Sequence, residues 1–453
     1  MSDATTLVLF GAAGDLVSRL LLPALGQLLQ VEPDRQVRLI GVDRDERTDD
    51  EMREIARTAF EKSDATASLA RMQIEYRQVD IAAPDELRAL LADLRAPALY
   101  FAVPPAVTVA ACNAMTADML PEGTMLALEK PFGVDEASAR DLNRRLTALV
   151  PERQLFRIDH FLGRATTLNL LGTRFANRIL QPLWSAEDIE SVAIIYDEKL
   201  ALEGRAGYYD HAGAFVDMVQ SHLLQVLAVL AMEQPATLNE IDFREATSAV
   251  LRAVAVWGDD PTASSRRARY TAGSVDGIAK PSYIDEPEVD ATRNTETLAE
   301  ATFEVHNARW AGVPFTVRSG KALGNPAREI VVRFRAVRHL PVGFRGHADG
   351  AILRFSLGPD SFSLELNVNG PNDPLELERA VVSTELGPGA LAAYAEVLSG
   401  ILDSDPMLSV RGDAAEECWR IIAPIRDAWR RDEVPLDEYA AGSEGPDGWP
   451  KLR

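Results

Sequence analysis

The amino-acid sequence predicts two domains of different fold class: an α/β domain with a doubly wound parallel sheet, then a larger α+β domain with a big, mostly antiparallel sheet. Over about the first 150 residues, short apolar runs alternate with helical patterns, which is typical of a parallel sheet covered on both faces. After residue 297, strand patterns follow one another with few helices between them, which indicates antiparallel pairing. The length of 453 residues also exceeds that of one ordinary domain. We place the two domains at residues 1–157 and 158–453.

The composition is that of a soluble globular protein, with 47% hydrophobic and 26% charged residues. The formal net charge of −22 argues against nucleic acid or an anionic membrane as a partner, because both require a basic surface. No apolar run is expected to reach membrane-spanning length, and residues 1–6 lack the basic start of a signal peptide, so we expect a cytoplasmic protein. Cys112 and Cys418 lie far apart in helical patterns and indicate neither a disulfide framework nor a zinc site.

Strands and helices alternate through the first domain, as hydrophobic periodicity predicts them. The predicted strands are Thr5–Gly11, Val37–Val42, Gln73–Val79, Ala98–Val103, Met125–Leu128 and Leu155–Ile158. The predicted helices are residues 16–30, 48–63, 84–94, 105–119 and 135–149.

A glycine-containing turn, GAAGDL at Gly11–Leu16, follows the first predicted strand and opens the first predicted helix. In a dinucleotide site, glycines at such a turn allow the backbone to approach a pyrophosphate at the helix N-terminus. The spacing differs from the standard G-x-G-x-x-G, and an ordinary turn between a strand and a helix gives the same pattern.

Two later motifs end successive strands of the predicted parallel sheet, at Tyr100–Pro105 and Ala127–Gly133. Open α/β sheets bind ligands at the carboxyl edge of their strands. Lys130, one of only six lysines in the chain, is thereby placed to contact both cofactor and substrate. The alternative is that Glu129 and Lys130 form a solvated pair before a turn-forming proline.

The run RIDHFLGR at Arg157–Arg164 places polar residues at the end of the last strand of this domain. If a helix starts at Asp159, His160 and Arg164 lie at positions i and i+4 on one face, above unpaired backbone N–H groups. Such an arrangement predicts an anion site that fits a phosphate. The alternative is that the Asp-His pair only caps the helix or forms a surface pair.

In the second domain, a strand at Ile189–Tyr196 is followed by a long helix that runs to about Met232. Its apolar positions predict a core helix, which Asp217 and His222 interrupt. On an ideal α-helix these two side chains lie about 140° apart, so both reach one ligand only if it lies across the helix or the turn is distorted. A histidine here can also be a hydrogen-bonded core residue.

The remaining predicted strands of this domain are Thr297–Val305, Phe315–Arg318, Glu329–Val337, Ala351–Ser356, Phe362–Val368 and Arg379–Thr384. Helices at residues 388–402 and 411–431 close the domain, and the tail from Ala441 is predicted to be loop.

Several motifs together resemble the glucose-6-phosphate dehydrogenase family. Gly11–Leu16 is similar to its G-A-S-G-D-L-A motif, Glu129–Gly133 matches its E-K-P-F-G loop, and Arg157–Arg164 matches R-I-D-H-Y-L-G-K at six of eight positions. The similarity continues along the chain through Arg174–Arg178, Glu203–His222, Asn307–Phe315 and Arg318–Leu323. The resemblance implies a Rossmann-like first domain and oxidation of C1 of glucose 6-phosphate to the lactone with NADP or NAD, the first step of the oxidative pentose phosphate pathway.

The resemblance also implies roles for individual residues. His222 is the general base that takes the C1 hydroxyl proton, and Asp159 orients it and stabilises the imidazolium. The substrate-binding residues that it implies are Lys130, His160, Arg164, Glu198, Asp217 and Lys321. The cofactor-binding residues that it implies are Gly11, Gly14, Asp15, Leu16, Arg44, Pro104 and Lys130. No metal is expected, and without the resemblance Glu198 and Lys321 would be interpreted as exposed charges at strand ends.

Some positions depart from the family pattern. Phe161 replaces a tyrosine, Arg164 a lysine, Val216 an arginine and Ser221 an asparagine. At the end of the second strand, Asp43 precedes Arg44; an acidic residue there favours NAD, whereas an arginine accommodates the 2′-phosphate of NADP. We expect NADP, with appreciable use of NAD; the alternative is that Asp43 and Arg44 are both only exposed turn residues.

The resemblance leaves open whether the substrate is another sugar phosphate or a free sugar, and whether the chain is a non-catalytic, nucleotide-binding regulatory paralogue. The family forms dimers and tetramers through its large sheet, so we expect a homodimer or homotetramer.

Overall fold

The computed structural model describes residues 4–204, 206–387 and 389–452. Within them the chain forms two compact units that are each discontinuous in sequence: unit 1 contains residues 4–165, 233–248 and 389–419, and unit 2 contains the rest. The predicted boundary after residue 157 stays a prediction, because compactness alone does not define independently folding domains. Residues 1–3, used in the signal-peptide argument, and Pro388, at the start of a predicted helix, lie outside the described residues.

The α-helices follow most of the predicted helical patterns, with ends shifted by a few residues. They are α1 Leu22–Val31, α2 Asp49–Glu61, α3 Pro84–Leu91, α4 Pro105–Ala114, α5 Glu136–Leu149, α6 Ala165–Phe175, α7 Ala206–Ala214, α8 Leu224–Ala231, α9 Glu240–Ala253, α10 Ala393–Leu402 and α11 Gly412–Arg430. Two π-helical segments, Val17–Leu21 and Phe215–Leu223, lie directly before α1 and α8. At the start of α2, Thr48 and Glu51 form a capping box. It provides hydrogen-bond acceptors for backbone N–H groups that have no partner inside the helix.

Unit 1 is built on a six-stranded sheet in which every pairing is parallel. Its strands are β1 Thr5–Phe10, β2 Val37–Asp43, β3 Met72–Gln78, β4 Ala98–Phe101, β5 Met125–Glu129 and β6 Leu155–Ile158. The spatial order is β3-β2-β1-β4-β5-β6, with apolar clusters packed on both faces. This confirms the predicted doubly wound parallel sheet, whose strand order reverses between β1 and β4.

Unit 1 also contains a buried charge network around Glu152. Arg157 is fully buried in β6 and donates to Glu152 Oε1 at 2.8 Å. Arg244, also buried, donates to the same oxygen at 2.7 Å, and the Gly412 N–H does so at 3.0 Å. The Glu152 carboxylate thus pairs with two guanidinium groups that are removed from water, and Glu240 Oε2 gives Arg244 a second acidic partner at 3.3 Å.

Unit 2 is built on a ten-stranded sheet that is mixed but mostly antiparallel, as predicted. Its members are β7 Ile189–Asp197, β8 Val254–Val256, β9 Ser265–Thr271, β12 Leu298–Val305, β13 Phe315–Gly320, β14 Arg328–Phe334, β15 Ile352–Leu357, β16 Asp360–Asn369, β17 Leu377–Glu385 and β18 Leu436–Ala440; β10 Gly273–Val275 and β11 Ile278–Lys280 form a separate hairpin. The order is β17-β16-β15-β14-β7-β13-β12-β9-β18, with β8 also paired to β12. Only two described pairs in this sheet are parallel, β7 with β13 and β9 with β18.

The long helix predicted in unit 2 is not one continuous α-helix. Gly213 has φ +65° and ψ 176°, which breaks the helix, and the π-helical segment Phe215–Leu223 separates α7 from α8. By length and composition alone the stretch Ala206–Ala231 could cross a membrane, so the expectation that no apolar run is that long was wrong. Its most apolar window is 89% buried inside the fold, which is typical of a core helix.

The buried network in unit 1 makes a testable stability prediction. Glu152→Ala leaves Arg157 and Arg244 buried without their shared carboxylate, so we expect the free energy of unfolding to fall by about 3 kcal/mol. Denaturant unfolding followed by circular dichroism measures this change. The matched control is Glu54→Ala, which breaks an exposed ion pair with Arg57 and should leave stability nearly unchanged. Equal stability of the two variants would contradict the prediction.

Candidate active site

A cavity of about 440 Å³ in unit 1 lies at the carboxyl ends of the first four strands. Of the predicted cofactor residues it includes Gly11, Gly14, Arg44 and Pro104. Asp15, Leu16 and Lys130 are not among its described lining residues: Asp15 is exposed and Leu16 packs against the core of the unit. The carboxyl edge of the sheet therefore holds a preformed cleft at the predicted glycine turn.

The turn after β1 packs closely against the residues that follow β4. Gly11 has φ +80°, and a Cβ atom there would lie 2.5 Å from the carbonyl oxygen of Ala102 and 2.8 Å from Val103 Cγ1. A side chain at Gly14 would lie 3.1 Å from Gly11 O. Only glycine combines this backbone conformation with such close packing against Ala102, and a tight glycine turn of this kind is what a dinucleotide site requires.

Asp43 and Arg44 both line this cavity, but their side chains have different surroundings. Asp43 Oδ2 accepts from the Ala13 N–H at 3.3 Å, and its Oδ1 accepts from the Arg44 N–H at 2.8 Å. The Arg44 residue is exposed at the rim. Backbone donors therefore occupy both carboxylate oxygens of Asp43.

The polar run after β6 forms a turn, and α6 begins only at Ala165. The predicted helix start at Asp159 is wrong, so His160 and Arg164 do not share a helix face. Backbone bonds from Leu162 N–H to Asp159 O, 3.1 Å, and from Arg164 N–H to Phe161 O, 3.2 Å, define the turn instead. The carboxylate of Asp159 accepts from the Phe161 N–H at 2.9 Å, a local side-chain bond that stabilises this turn.

Aromatic rings hold the two predicted phosphate ligands of this turn. The imidazole of His160 stacks on the Tyr394 ring, with centroids 5.3 Å apart and planes 14° from parallel. The guanidinium carbon of Arg164 lies 4.6 Å from the centre of the buried Phe161 ring. Both side chains are therefore supported by contacts within unit 1.

Unit 1 gathers Lys130, His160 and Arg164 around Asp159, which is only 2% exposed. Burial raises the pKa of Asp159 to about 6, although the charges of His160, Lys130 and Arg164 and the Phe161 N–H favour the ionised form. The carboxylate is thus mostly ionised at neutral pH and neutral in acid.

Glu129, beside Lys130, is not the solvated residue of the alternative interpretation. It accepts a hydrogen bond from the Tyr100 hydroxyl at 2.5 Å, and Tyr394 also bonds to it. Burial raises the pKa of Glu129 to about 7. Sequence reasoning missed Tyr394 because it stands on α10 outside any motif, whereas Tyr100 lies within the motif Tyr100–Pro105.

Unit 2 contains a second group of predicted site residues, and two of them form an ion pair. Lys321 Nζ lies 2.6 Å from Glu198 Oε2 and 5.1 Å from the centre of the Tyr209 ring. Lys321 is only 5% exposed, so it is not a surface charge. The pair forms because β7 and β13 run parallel, with Asp197 opposite Gly320. Glu198 directly follows Asp197 and Lys321 directly follows Gly320, so the two side chains meet at the same edge.

Asp217 and His222 lie on the π-helical segment Phe215–Leu223. Its hydrogen bonds span five residues, as from the Leu224 N–H to Val219 O, so residues five apart lie on similar sides. The ideal-helix angle of about 140° does not apply, and the distorted turn that would bring both side chains to one ligand is present. His222 is buried, Asp217 is half-buried, and the Ser221 hydroxyl donates to Asp217 O.

Comparison with known proteins shows what the whole chain is similar to. Residues 8–169 match the family model described as glucose-6-phosphate dehydrogenase, NAD binding domain, and residues 171–452 match the C-terminal domain. The glucose-6-phosphate 1-dehydrogenase of Gluconobacter oxydans is 37% identical, covering 97% of this chain and 94% of that protein, and that of Rhizobium meliloti is 34% identical with the same coverage.

Solved structures agree with these relatives. The crystal structure of glucose-6-phosphate 1-dehydrogenase from Mycobacterium avium superposes with a TM-score of 0.84 at 31% identity, covering 98% of this chain and 95% of that one. A glucose-6-phosphate dehydrogenase in complex with its substrate glucose-6-phosphate gives 0.85 at 29% identity, covering 98% and 96%.

Proposed function

The chain belongs to the glucose-6-phosphate dehydrogenase family, and we propose that it oxidises C1 of glucose 6-phosphate to the lactone with NADP or NAD. The observation that carries the proposal is near-complete coverage by enzymes of that name, together with the presence of Lys130, Asp159 and His222 in their motifs. We also propose that it works in the cytoplasm.

In the proposed reaction, His222 takes the proton of the C1 hydroxyl group. As the proton leaves, a C1=O double bond forms and the C1–H bond breaks with its electron pair, which oxidises the cyclic sugar to the lactone. When bound, the nicotinamide supplies the acceptor for that hydride. His222 suits the role because imidazole can exchange a proton near neutral pH, and Asp159 is proposed to orient it and stabilise the imidazolium.

The proposed substrate contacts divide by chemistry. His160 and Arg164 bind the phosphate, for which charged donors are suited. Glu198 and Asp217 accept hydrogen bonds from sugar hydroxyl groups, and Lys130 and Lys321 donate to the sugar. The 2.6 Å pair between Glu198 and Lys321 supports this assignment, because each partner neutralises the other and holds it in place before substrate binds.

We propose NADP as the preferred cofactor, with appreciable use of NAD. The hydrogen bonds from the Ala13 and Arg44 N–H groups to the Asp43 carboxylate support this preference, because they compete with a bond from a ribose hydroxyl to that group. Arg44, exposed at the rim of the cavity, remains available for a 2′-phosphate.

We propose that the chain forms a homodimer or homotetramer through the large sheet. Exposed apolar side chains on neighbouring strands β16 and β17 support an interface there: Leu366, Val368, Val381 and Val382. Multi-angle light scattering of the purified chain measures its mass, for which we expect twice or four times that of one chain. A single-chain mass at micromolar concentration would contradict the proposal.

We expect His222→Asn to fold normally and bind glucose 6-phosphate, yet lose roughly 10²-fold or more in kcat, the usual size of a general-base contribution. Steady-state kinetics at neutral pH measure the loss. His211→Asn is the matched control, because His211 is an exposed histidine of the same helical stretch and its Nδ1 contacts the backbone oxygen of Gly207 at 3.1 Å. Near-normal turnover of His222→Asn would exclude it as the base.

Arg164→Ala should raise KM for glucose 6-phosphate far more than for free glucose. Loss of a charge-assisted phosphate contact is worth roughly 1.5–3 kcal/mol, or about ten- to a hundredfold. Arg164→Lys keeps the charge and should recover part of the affinity. Equal losses on both sugars would remove Arg164 from the phosphate site, and a preference for glucose in the unaltered chain would favour the free-sugar alternative.

Arg44→Ala should lower kcat/KM for NADP about tenfold or more and leave that for NAD nearly unchanged, because only NADP carries the 2′-phosphate. Kinetics with both cofactors give the ratio. Arg88→Ala is the control, since Arg88, on α3, pairs with Asp118 and is not among the described residues lining the cavity. An unchanged NADP/NAD ratio in Arg44→Ala would show that Arg44 does not recognise the 2′-phosphate.

A further inference from the structure

Glu296 lies where the helical stretch of unit 2 breaks before its π-helical segment. A Cβ atom built on Gly213 would lie 2.2 Å from Glu296 Oε1, so the carboxylate fills the space beside the break. The Phe215 N–H donates to the same Oε1 at 3.0 Å, and the Ala214 N–H donates to the backbone oxygen of Glu296 at 3.2 Å. Because the first N–H groups of a helical segment lack partners inside it, Glu296 supplies the acceptors at this start.

The neighbours of Glu296 connect this start to the rest of the unit. The Thr295 hydroxyl donates to Asp210 O at 2.7 Å, which holds α7. The Thr297 N–H donates to Ala268 O in β9 at 2.8 Å, and Thr297 O accepts from the Lys321 N–H at 2.9 Å. Three consecutive residues therefore connect α7, the π-helical segment, the sheet and Lys321.

We propose that Glu296 is a positioning residue: its carboxylate fixes the start of the π-helical segment Phe215–Leu223 and thereby the side chains of Asp217 and His222. The inference rests on the roles proposed above for those two residues. π-helices are rare and mostly limited to single turns inside α-helices, so the five-residue register at this segment depends on contacts from outside it. Phe215 precedes Asp217 by two positions, and a shift at Phe215 displaces Asp217 directly.

The groups around Glu296 make its hydrogen bond with the Phe215 N–H dependent on pH. Its carboxyl group lines a cavity of about 500 Å³, and burial raises its pKa to about 7, while the Phe215 N–H, Arg267 and Arg426 favour the ionised form. The other charged or titratable groups that line the cavity are Asp210, His211, Arg293, Arg430 and Asp432. Tyr209 also faces Glu296, and burial and the charges of Asp217 and Glu296 hold the pKa of that hydroxyl well above its usual value. Since a carboxylate accepts more strongly than a carboxylic acid, the bond to Phe215 strengthens as pH rises through about 7.

The experiment compares Glu296→Gln and Glu296→Ala with the unaltered full-length chain. Glu304→Gln is the matched control, because Glu304 also accepts a backbone N–H, that of Gly258 at 2.9 Å, but at the far end of β12. The measurements are kcat and KM for glucose 6-phosphate between about pH 6 and 8.5, and hydrogen–deuterium exchange of the amides of residues 214–216.

Gln resembles the protonated acid, so Glu296→Gln should approach normal kcat/KM near pH 6 and fall about three- to tenfold below it near pH 8. Glu296→Ala should lose about tenfold or more at every pH and exchange the 214–216 amides at least about tenfold faster. Glu304→Gln should change neither. Gln is nearly isosteric with Glu. The pH dependence of the kcat/KM ratio between Glu296→Gln and the unaltered chain therefore tests the proposal even if the alanine variant does not fold.

A constant activity ratio between the unaltered chain and Glu296→Gln from pH 6 to 8.5 would overturn the inference, as would an equal loss in Glu304→Gln. If the unaltered chain does not oxidise glucose 6-phosphate, the proposed function fails separately. The exchange measurement then still tests the positioning role of Glu296. Unchanged protection of residues 214–216 in either variant would show that Glu296 does not fix the start of the π-helical segment.

Discussion

Parallel pairing of neighbouring strands is the constraint on which the candidate site depends. Parallel strands end at the same edge of a sheet, so residues that follow them meet there whatever their distance in sequence. In unit 1 this brings the turn at Gly11 together with Asp43 and Pro104 around one cavity. Unit 2 has a mostly antiparallel sheet, yet the parallel pair β7 and β13 inside it places Glu198 beside Lys321 in the same way.

Burial of charged groups is the second property that the two units share. Asp159 and Lys321 are almost fully buried, and each has charges of opposite sign close by, which offset much of the cost of leaving water. At Asp159 and Glu129 the neighbouring groups do not fully offset the cost of burying a charge, because burial still raises the two pKa values to about 6 and about 7. Groups that ionise near neutral pH are suited to proton chemistry, and such groups cluster at functional sites.

The sequence predicted the sheets well because apolar periodicity reports burial, and burial determines both folds here. β9 was not predicted because Ser265–Thr271 contains three arginines, which hide its apolar periodicity. Arg267 can be buried there only because the folded chain supplies hydrogen-bond acceptors, Asp432 and the backbone oxygen of Val434. The π-helical segment was also missed as such, since the contact that we propose fixes its start comes from Glu296, 81 residues away from Phe215. Motifs identified the candidate residues, but their surroundings, such as Tyr394 against His160, depend on tertiary contacts that no local pattern contains.

Two of the departures from the family pattern, Phe161 and Arg164, contact each other and are best considered together. Phe161 lacks the hydroxyl of the family tyrosine, and considered alone it removes a hydrogen-bond donor from the turn that we propose binds the phosphate. Arg164 stands where the family has lysine, and its guanidinium lies 4.6 Å from the centre of the Phe161 ring. A planar, weakly hydrated guanidinium stacks on an aromatic face better than an ammonium does, and it offers five donors where lysine offers three. If the turn binds phosphate as proposed, the additional donors of the arginine offset the loss of the hydroxyl group, and the phenylalanine ring supports the guanidinium.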